Sequence, residues 1–372
     1  MVASQPRGCV FGSSQHRNPH WRGYCGGPAL RGRMSKAPDP GVYPDTPEQE
    51  YRDWEAENFS HLKNIHLAPA RYVHAQRFPM ERTPAMRFGS AFHRICEDSS
   101  AFTEEYVPGI TAPRSTKAGH QEWVSFIVQN VSAQRLDELG ARLEDCPGDA
   151  YEMVLAIERS IGNAAAMDRF IDDHFSCQVM SQEDLNRLEL MWVAVDKDTE
   201  ARKIFDTDPA DREVSFVWKD PTTGILCKGR IDYICRGDPT AIVDLKTAKD
   251  GSPESHGFPS TVNRFFYHAQ MAMYAEGWAT ALGVNMPGAV EWVVVESQDP
   301  HLVQTYRASD EMMNIGSFYF HSWLERLAQC RAKNEWPGYS DGGVVEVGLP
   351  GWAYAAAAKR GYTPPPTQKG RS

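Results

Sequence analysis

Asp232, Asp244 and Lys246 are the side chains of this sequence best suited to chemistry; they stand in Gly229-Arg230-Ile231-Asp232 and Ile242-Val243-Asp244-Leu245-Lys246. Two short apolar runs, residues 225–235 and 241–245, flank Arg236-Gly237-Asp238-Pro239-Thr240, whose Gly and Pro mark a turn between strands. The spacing predicts a hairpin with Asp232 in the middle of its first strand. Asp244 and Lys246, two residues apart, then point to one face of the second strand. Two carboxylates and an amine so placed suit Mg2+ or Mn2+, which takes hard oxygen ligands together with substrate phosphate. The lysine would orient or deprotonate an attacking water, or stabilise charge on the phosphorane. Taken alone, the same residues are equally consistent with a salt-bridged surface hairpin. Apolar Ile231, Ile242, Val243 and Leu245 beside the charges instead favour a largely buried sheet.

Asp232, eleven further residues, and then Asp244-Leu245-Lys246 resemble the PD-(D/E)xK nuclease core, in the variant of RecB-type and phage recombination exonucleases. Upstream, Gly89-Ser90-Ala91-Phe92-His93 is similar to the G-x-x-x-H helix of that group. Downstream, Gln270-Met271-Ala272-Met273-Tyr274 matches its Q-x-x-x-Y helix. Four elements in the right order form a specific signal where each alone is weak. Within the group the likeness is to the nuclease domain of the exodeoxyribonuclease VIII (RecE) type, over residues 59–352.

The resemblance implies a restriction-endonuclease-like α/β core that acts as a Mg2+-dependent DNA exonuclease, with Mn2+ able to substitute. It would degrade linear double-stranded DNA 5'→3' and leave 3' single-stranded tails for phage or prophage recombination. Asp232, Asp244, Lys246, Glu213, Gln270 and Tyr274 would be catalytic, and His93, Asp232, Asp244 and Leu245 would surround the metal. The implied partners are double-stranded DNA ends, a RecT-like single-strand annealing recombinase, and further copies of the chain in a ring-shaped trimer or tetramer. The alternatives are a Cas4-like single-strand or structure-specific nuclease and a non-cleaving DNA-end-binding adaptor on the same fold. Four clustered cysteines, as in iron–sulfur relatives, are missing; the eight cysteines lack C-x-x-C spacing and read as reduced and structural.

Several of these residues also have plain structural readings. A helical histidine such as His93 more often packs than ligates; Gly89, one turn earlier, would permit close approach of another backbone, and Glu97, one turn later, could support the imidazole. Glu213, on an alternating strand Glu213-Val214-Ser215-Phe216-Val217-Trp218, shares a face with Ser215 and Val217. Its rival role is a salt bridge to Lys228 or Arg230. Gln270 and Tyr274 share a helix face with Tyr267, and the same helix has an apolar body. Lys249, Arg264 and His268 flank this region as candidate phosphate contacts.

The chain has 372 residues, a formal charge of -10 and an apolar fraction of 41 %. That charge excludes a broadly basic DNA-coating protein, but permits acids at a metal site beside a local basic channel. No run approaches a membrane span and nothing resembles a signal peptide, so a soluble cytoplasmic protein without membrane partners is expected. Residues 1–45, rich in Gly, Pro and Arg, read as a disordered basic arm, with Met34 an alternative start. Residues 46–352 form the expected exonuclease domain, and 353–372 a flexible tail.

The elements that must position the candidate residues follow in order. Ser60 is read as the cap of a short helix through Leu62 and Ile65, and residues 86–97 as the His93 helix. A helical layer is inserted at about residues 110–208, with helices at 117–130, 150–160, 164–175 and 181–195. Trp123, Phe126, Lys117 and His120 are candidates to line a DNA channel there, ordinary packing being the nearer reading. Strands at 213–218, 225–235, 241–245, 289–295 and 302–306 give a mixed sheet of about five strands flanked by helices. One helix over 261–282 carries Gln270 and Tyr274, and another over 310–333 closes the domain.

Overall fold

The structure is a computed structural model describing residues 35–78, 80, 82–109, 115–130, 149–161, 177–237, 240–340 and 343–363. Its centre is a six-stranded sheet built from β1 (Gly41–Tyr43), β4 (Arg212–Lys219), β5 (Leu226–Cys235), β6 (Ala241–Ala248), β7 (Ala289–Glu296) and β8 (Val303–Arg307) in the order β1-β4-β5-β6-β7-β8. Only β6 and β7 run parallel; the other neighbours are antiparallel. Two short parallel strands, β2 (Tyr106–Pro108) and β3 (Gln178–Met180), pair apart from it.

Thirteen helices are described: α1 (Glu48–Asp53), α2 (Phe59–Leu62), α3 (Pro69–Arg77), α4 (Pro84–Glu97), α5 (Ser99–Glu105), α6 (Lys117–Asn130), α7 (Ala150–Ile161), α8 (Gln182–Lys197), α9 (Thr199–Phe205), α10 (Phe258–Phe265), α11 (Tyr267–Leu282), α12 (Asp310–Lys333) and α13 (Gly351–Lys359). The mixed α/β fold is the one the sequence predicts.

Two apolar cores lie on opposite faces of the sheet. One joins Ile242, Trp292 and Val294 to α2, α10, α11 and α12 through residues such as Leu62, Val262, Met273 and Phe320. The other joins Val243, Leu245 and Val293 to α4, α8 and α9 through Phe92, Leu188 and Phe205. β7 is buried on both faces, which is why it reads Ala-Val-Glu-Trp-Val-Val-Val-Glu with little alternation. α6 and α7 enclose a small core of their own around Trp123, Val124, Ile127 and Val154. Trp123 is therefore packed inside, and His120 pairs with Glu158 at 2.8 Å, so neither presents itself to a channel.

Several local expectations are corrected. The arm expected to be disordered to residue 45 contributes β1, which pairs with β4 from Gly41 to Tyr43 and supplies the sixth strand. Residues before 35 and the helix expected at 164–175 lie outside the described residues. Asn58, rather than Ser60, caps α2 by accepting the His61 N–H at 2.8 Å. The helix expected over 261–282 is two helices, broken at Phe266, whose φ of 60° is left-handed. In the tail the run of alanines from Ala355 to Ala358, which reads as a fraying helix, does lie in a helix, α13, that has no buried residue. Ser181 caps α8, accepting the Asp184 N–H at 3.0 Å.

Candidate active site

The site lies where the β5–β6 ladder ends. Tyr233, Ile234 and Cys235 pair with Val243, Ile242 and Ala241, and one further step would set Asp232 opposite Asp244. The ladder stops there instead. The Leu245 N–H, which would otherwise seek a β5 carbonyl, donates to Asp232 Oδ2 at 2.8 Å. The Leu245 carbonyl accepts from His93 Nε2 at 2.9 Å. Side chains replace main chain as partners of Leu245, and the strands part around them.

A change of face on two strands feeds this opening. Val214 and Ile231, paired across β4 and β5, belong to the core under α11, whereas Tyr233 belongs to the opposite core. In a regular strand Ile231 and Tyr233 would share a face. The irregularity passes through Asp232 and through Glu213, whose φ of 50° is a left-handed conformation that a residue with a Cβ seldom adopts. Both carboxylates are brought toward the imidazole of His93 on α4. The Nδ1 of His93 lies 3.5 Å from Asp232 Oδ2 and 4.0 Å from Glu213 Oε1. One ligand atom from each of the three residues falls within 4.8 Å of the others.

Neighbouring groups hold these three in place. Arg230 donates from Nε to Glu213 Oε2 at 2.6 Å and from Nη1 to the Thr46 carbonyl and the Ser215 hydroxyl at 2.7 and 2.8 Å. Thus the salt bridge posed as a rival to a site role for Glu213 exists alongside its contact with His93. With Nε2 committed to a carbonyl, Nδ1 is the nitrogen left for a proton or a metal ion, the usual arrangement of a ligating histidine.

The other half of the site faces α11. Lys246 pairs with Asp244 through Oδ2, and its Nζ lies 5.0 Å from the centre of the Tyr267 ring. Gln270 and Tyr274 lie one turn apart on this helix, and the charges of Asp244, Lys246 and Asp232 act on the Tyr274 hydroxyl. The break at Phe266 starts α11 beside Lys246 rather than letting an earlier helix run past it.

The electrostatics are those of crowded, half-buried acids. Burial, then the like charges of Asp244 and Glu213, lift Asp232 to about 7 against the pull of His93 and Lys246. Burial also penalises charge on His93, but Asp232 and Glu213 outweigh it and raise the imidazole to about 9. Glu213 is buried too, yet His93 and Arg230 keep it below its ordinary value. Lys246 pays for burial and is more than compensated by Asp244 and Asp232, so it holds its proton above the usual lysine range. Burial pushes the Tyr274 hydroxyl up to about 12.

Two carboxylates and an imidazole converging on one point fit a divalent cation. The closest group is His93, Glu213 and Asp232; Asp244, expected beside Asp232 as a ligand, is engaged by Lys246. Leu245, expected among the metal ligands, offers a carbonyl already accepting from His93.

Other expectations fall away. Glu97 pairs with Arg94 at 3.1 Å and does not support His93. A Cβ on Gly89 would meet only Thr247 Oγ1 at 3.7 Å, so no backbone approaches it closely. His268 is buried against Phe266 and Tyr319 and is not presented to phosphate. Cys96, Cys177, Cys227, Cys235 and Cys330 are free thiols among the described residues.

Among solved structures, a candidate exonuclease from Eubacterium rectale matches with 13 % identity over 66 % of this chain and 99 % of its own, at a TM-score of 0.36. The protein SSO0001 matches with 14 % identity over 66 % of this chain and 85 % of its own, at a TM-score of 0.22. No curated protein matches the chain. No helix among the described residues is long and apolar enough to cross a membrane. The family described as "PDDEXK-like domain of unknown function (DUF3799)" matches residues 58–345, from the start of α2 past the end of α12.

Proposed function

The chain belongs to this PDDEXK-like family, and we propose that it is a divalent-metal-dependent DNA exonuclease of the exodeoxyribonuclease VIII type. Its substrate is the end of linear double-stranded DNA, digested 5'→3' to leave 3' single-stranded tails. The observation that carries this reading is the convergence of His93, Glu213 and Asp232 within 4.8 Å, beside the Asp244–Lys246 pair.

His93 Nδ1 and the carboxylates of Glu213 and Asp232 would hold Mg2+ or Mn2+, with the Leu245 carbonyl adjoining. When bound, the cation supplies Lewis acidity toward a phosphodiester oxygen and favours hydroxide over water. Arg230 fixes the Glu213 carboxylate, and the Leu245 N–H fixes that of Asp232. Asp244 and Asp232 favour the protonated form of Lys246, which orients the water or meets negative charge on the phosphoryl oxygens. Gln270 and Tyr274 supply further polar contacts to water and phosphate from α11. A RecT-like annealing protein would receive the single-stranded product, and a ring-shaped trimer or tetramer would give processivity; both follow from the likeness to the recombination exonucleases.

The test is digestion of linear duplex DNA, labelled separately at its 5' and 3' ends, with Mg2+, Mn2+ or EDTA. Metal-dependent release of the 5' label by the wild type, lost in Lys246→Ala, is expected. DNA-end binding without cleavage of linear, nicked or single-stranded substrates would instead leave the adaptor reading.

A further inference from the structure

Lys63 stands immediately after α2, in the single 3-10 turn Lys63–His66. Its backbone is fixed by what surrounds it: Asn58 caps α2, and Phe59, Leu62 and Ile65 are buried in the core under α11 and α12. The side chain is half-buried, with Nζ 5.6 Å from the centre of the Phe59 ring. The turn also abuts the candidate site. His66 packs on Phe266 with ring centres 4.9 Å apart, Phe266 adjoins Tyr267, and the Tyr267 ring lies 5.0 Å from Lys246 Nζ.

Several other cations of this part of the fold have partners. Lys228 donates to three carbonyls, Arg230 to Glu213, Lys246 to Asp244, and Arg331 to Glu57. Lys63 differs. Among the described residues no carboxylate pairs with it, and the charged group that perturbs it is the ammonium of Lys246, which together with the larger effect of burial lowers its pKa. A cation held by a rigid turn, partly desolvated and repelled by its neighbour lacks an anion.

We propose that Lys63 is a phosphate-positioning residue, whose ammonium binds a non-bridging oxygen of the DNA strand being cut, beside the Asp244–Lys246 pair. The inference rests on the nuclease reading above and adds to it a group outside the carboxylate–lysine motif. A phosphate there would relieve the repulsion between the two ammonium groups. Lysine serves such a role as a point charge, with no need for the fork of an arginine.

The experiment compares wild type, Lys63→Met, Lys63→Gln and Lys63→Arg. Binding of a short duplex is followed by fluorescence anisotropy with Ca2+ in place of Mg2+ over a series of salt concentrations, and cleavage kinetics are measured with Mg2+. Removing one phosphate contact should weaken binding about five- to ten-fold at moderate salt and lower the slope of log K against log salt by about 0.9. KM should rise more than kcat falls, Lys63→Arg should recover most of the loss, and stabilisation by Mn2+ alone should stay at the wild-type level. Unchanged salt slope and KM in both neutral variants of an active enzyme would overturn the proposal. So would equal losses in Met, Gln and Arg, which would mark a packing role. If the wild type neither binds nor cuts DNA, the nuclease reading itself fails, a result distinct from either of these.

Discussion

If the carboxylates are gathered for a cation, they should cost stability whenever the cation is withheld, and Asp232→Asn should reveal that cost. The amide is isosteric, and its oxygen can still accept the Leu245 N–H that Asp232 accepts at 2.8 Å. It removes the charge that burial, Asp244 and Glu213 oppose. Asp232 is raised from 3.8 to about 7, so the folded chain binds its proton more tightly than the unfolded chain does. Its contribution to stability is fully present below about pH 4 and is lost as pH rises through about 7. The interval between those two values amounts to roughly 4 kcal/mol. In EDTA the variant should therefore match the wild type near pH 4 and exceed it by about 1–4 kcal/mol at pH 8. Mn2+ should shift the difference back toward the wild type: a ligand at a hundred times its Kd adds about 2.7 kcal/mol to the wild type and little to the variant. Urea unfolding at both pH values, with EDTA and with Mn2+, measures all four quantities. A variant less stable than the wild type in EDTA at pH 8, or equally stabilised by Mn2+, would refute the reasoning.

Arg230→Met removes the donor shared by Glu213, Thr46 and Ser215, and should cost about 3–5 kcal/mol by urea unfolding and weaken Mn2+ binding about 10–100-fold in a calorimetric titration. Lys228→Met leaves the carbonyls of Tyr51, Arg52 and Trp54 without their ammonium partner; a loss of about 3 kcal/mol with unchanged Mn2+ affinity is expected, because that lysine anchors α1 and touches no site residue. Gly277→Ala would place a Cβ 2.8 Å from the Trp218 indole and should lower stability by about 1–3 kcal/mol, whereas Gly89→Ala, with its nearest neighbour at 3.7 Å, should be neutral or stabilise α4 by up to about 1 kcal/mol. Thermal melts of that pair decide whether the glycine before His93 is needed for space.

The residues of the site were legible in the sequence because their types carry chemistry at short range. Asp244 and Lys246 share a face by strand parity alone, and they do pair. Gln270 and Tyr274 are neighbours by helical spacing alone, and both do lie on α11. The grouping of these residues was less legible. Parity cannot show that β4 and β5 change face at Glu213 and Asp232, since that change depends on a left-handed Glu213, a conformation to which no propensity points. Nor can it show that Asp244 is occupied by Lys246 while His93 draws the other two acids together. β1 was missed because three residues, Gly41-Val42-Tyr43, carry no period, and their strand character comes from an edge of β4 waiting to be paired. The break at Phe266 left no Gly or Pro in the sequence to announce it. Lys63 sits in the short turn Lys63-Asn64-Ile65-His66, where periodicity says nothing of a missing counter-charge.

The two backbone irregularities have a common effect. An unbroken β4–β5–β6 ladder would satisfy Leu245 with main-chain bonds and set Asp232 opposite Asp244 as a like-charged pair. An unbroken helix over 258–282 would have no terminus beside Lys246. With the left-handed Glu213 the acids separate into one group around His93 and another around Lys246; with the left-handed Phe266, α11 begins against that second group. Each conformation costs roughly 1–3 kcal/mol, and each is held by packing elsewhere: Arg230 and the paired strands fix Glu213, and the ring of Phe266 is wedged among His66, Tyr319 and Trp323. Local strain therefore falls at the two points that divide the charges of this hairpin into a His93 half and a Lys246 half.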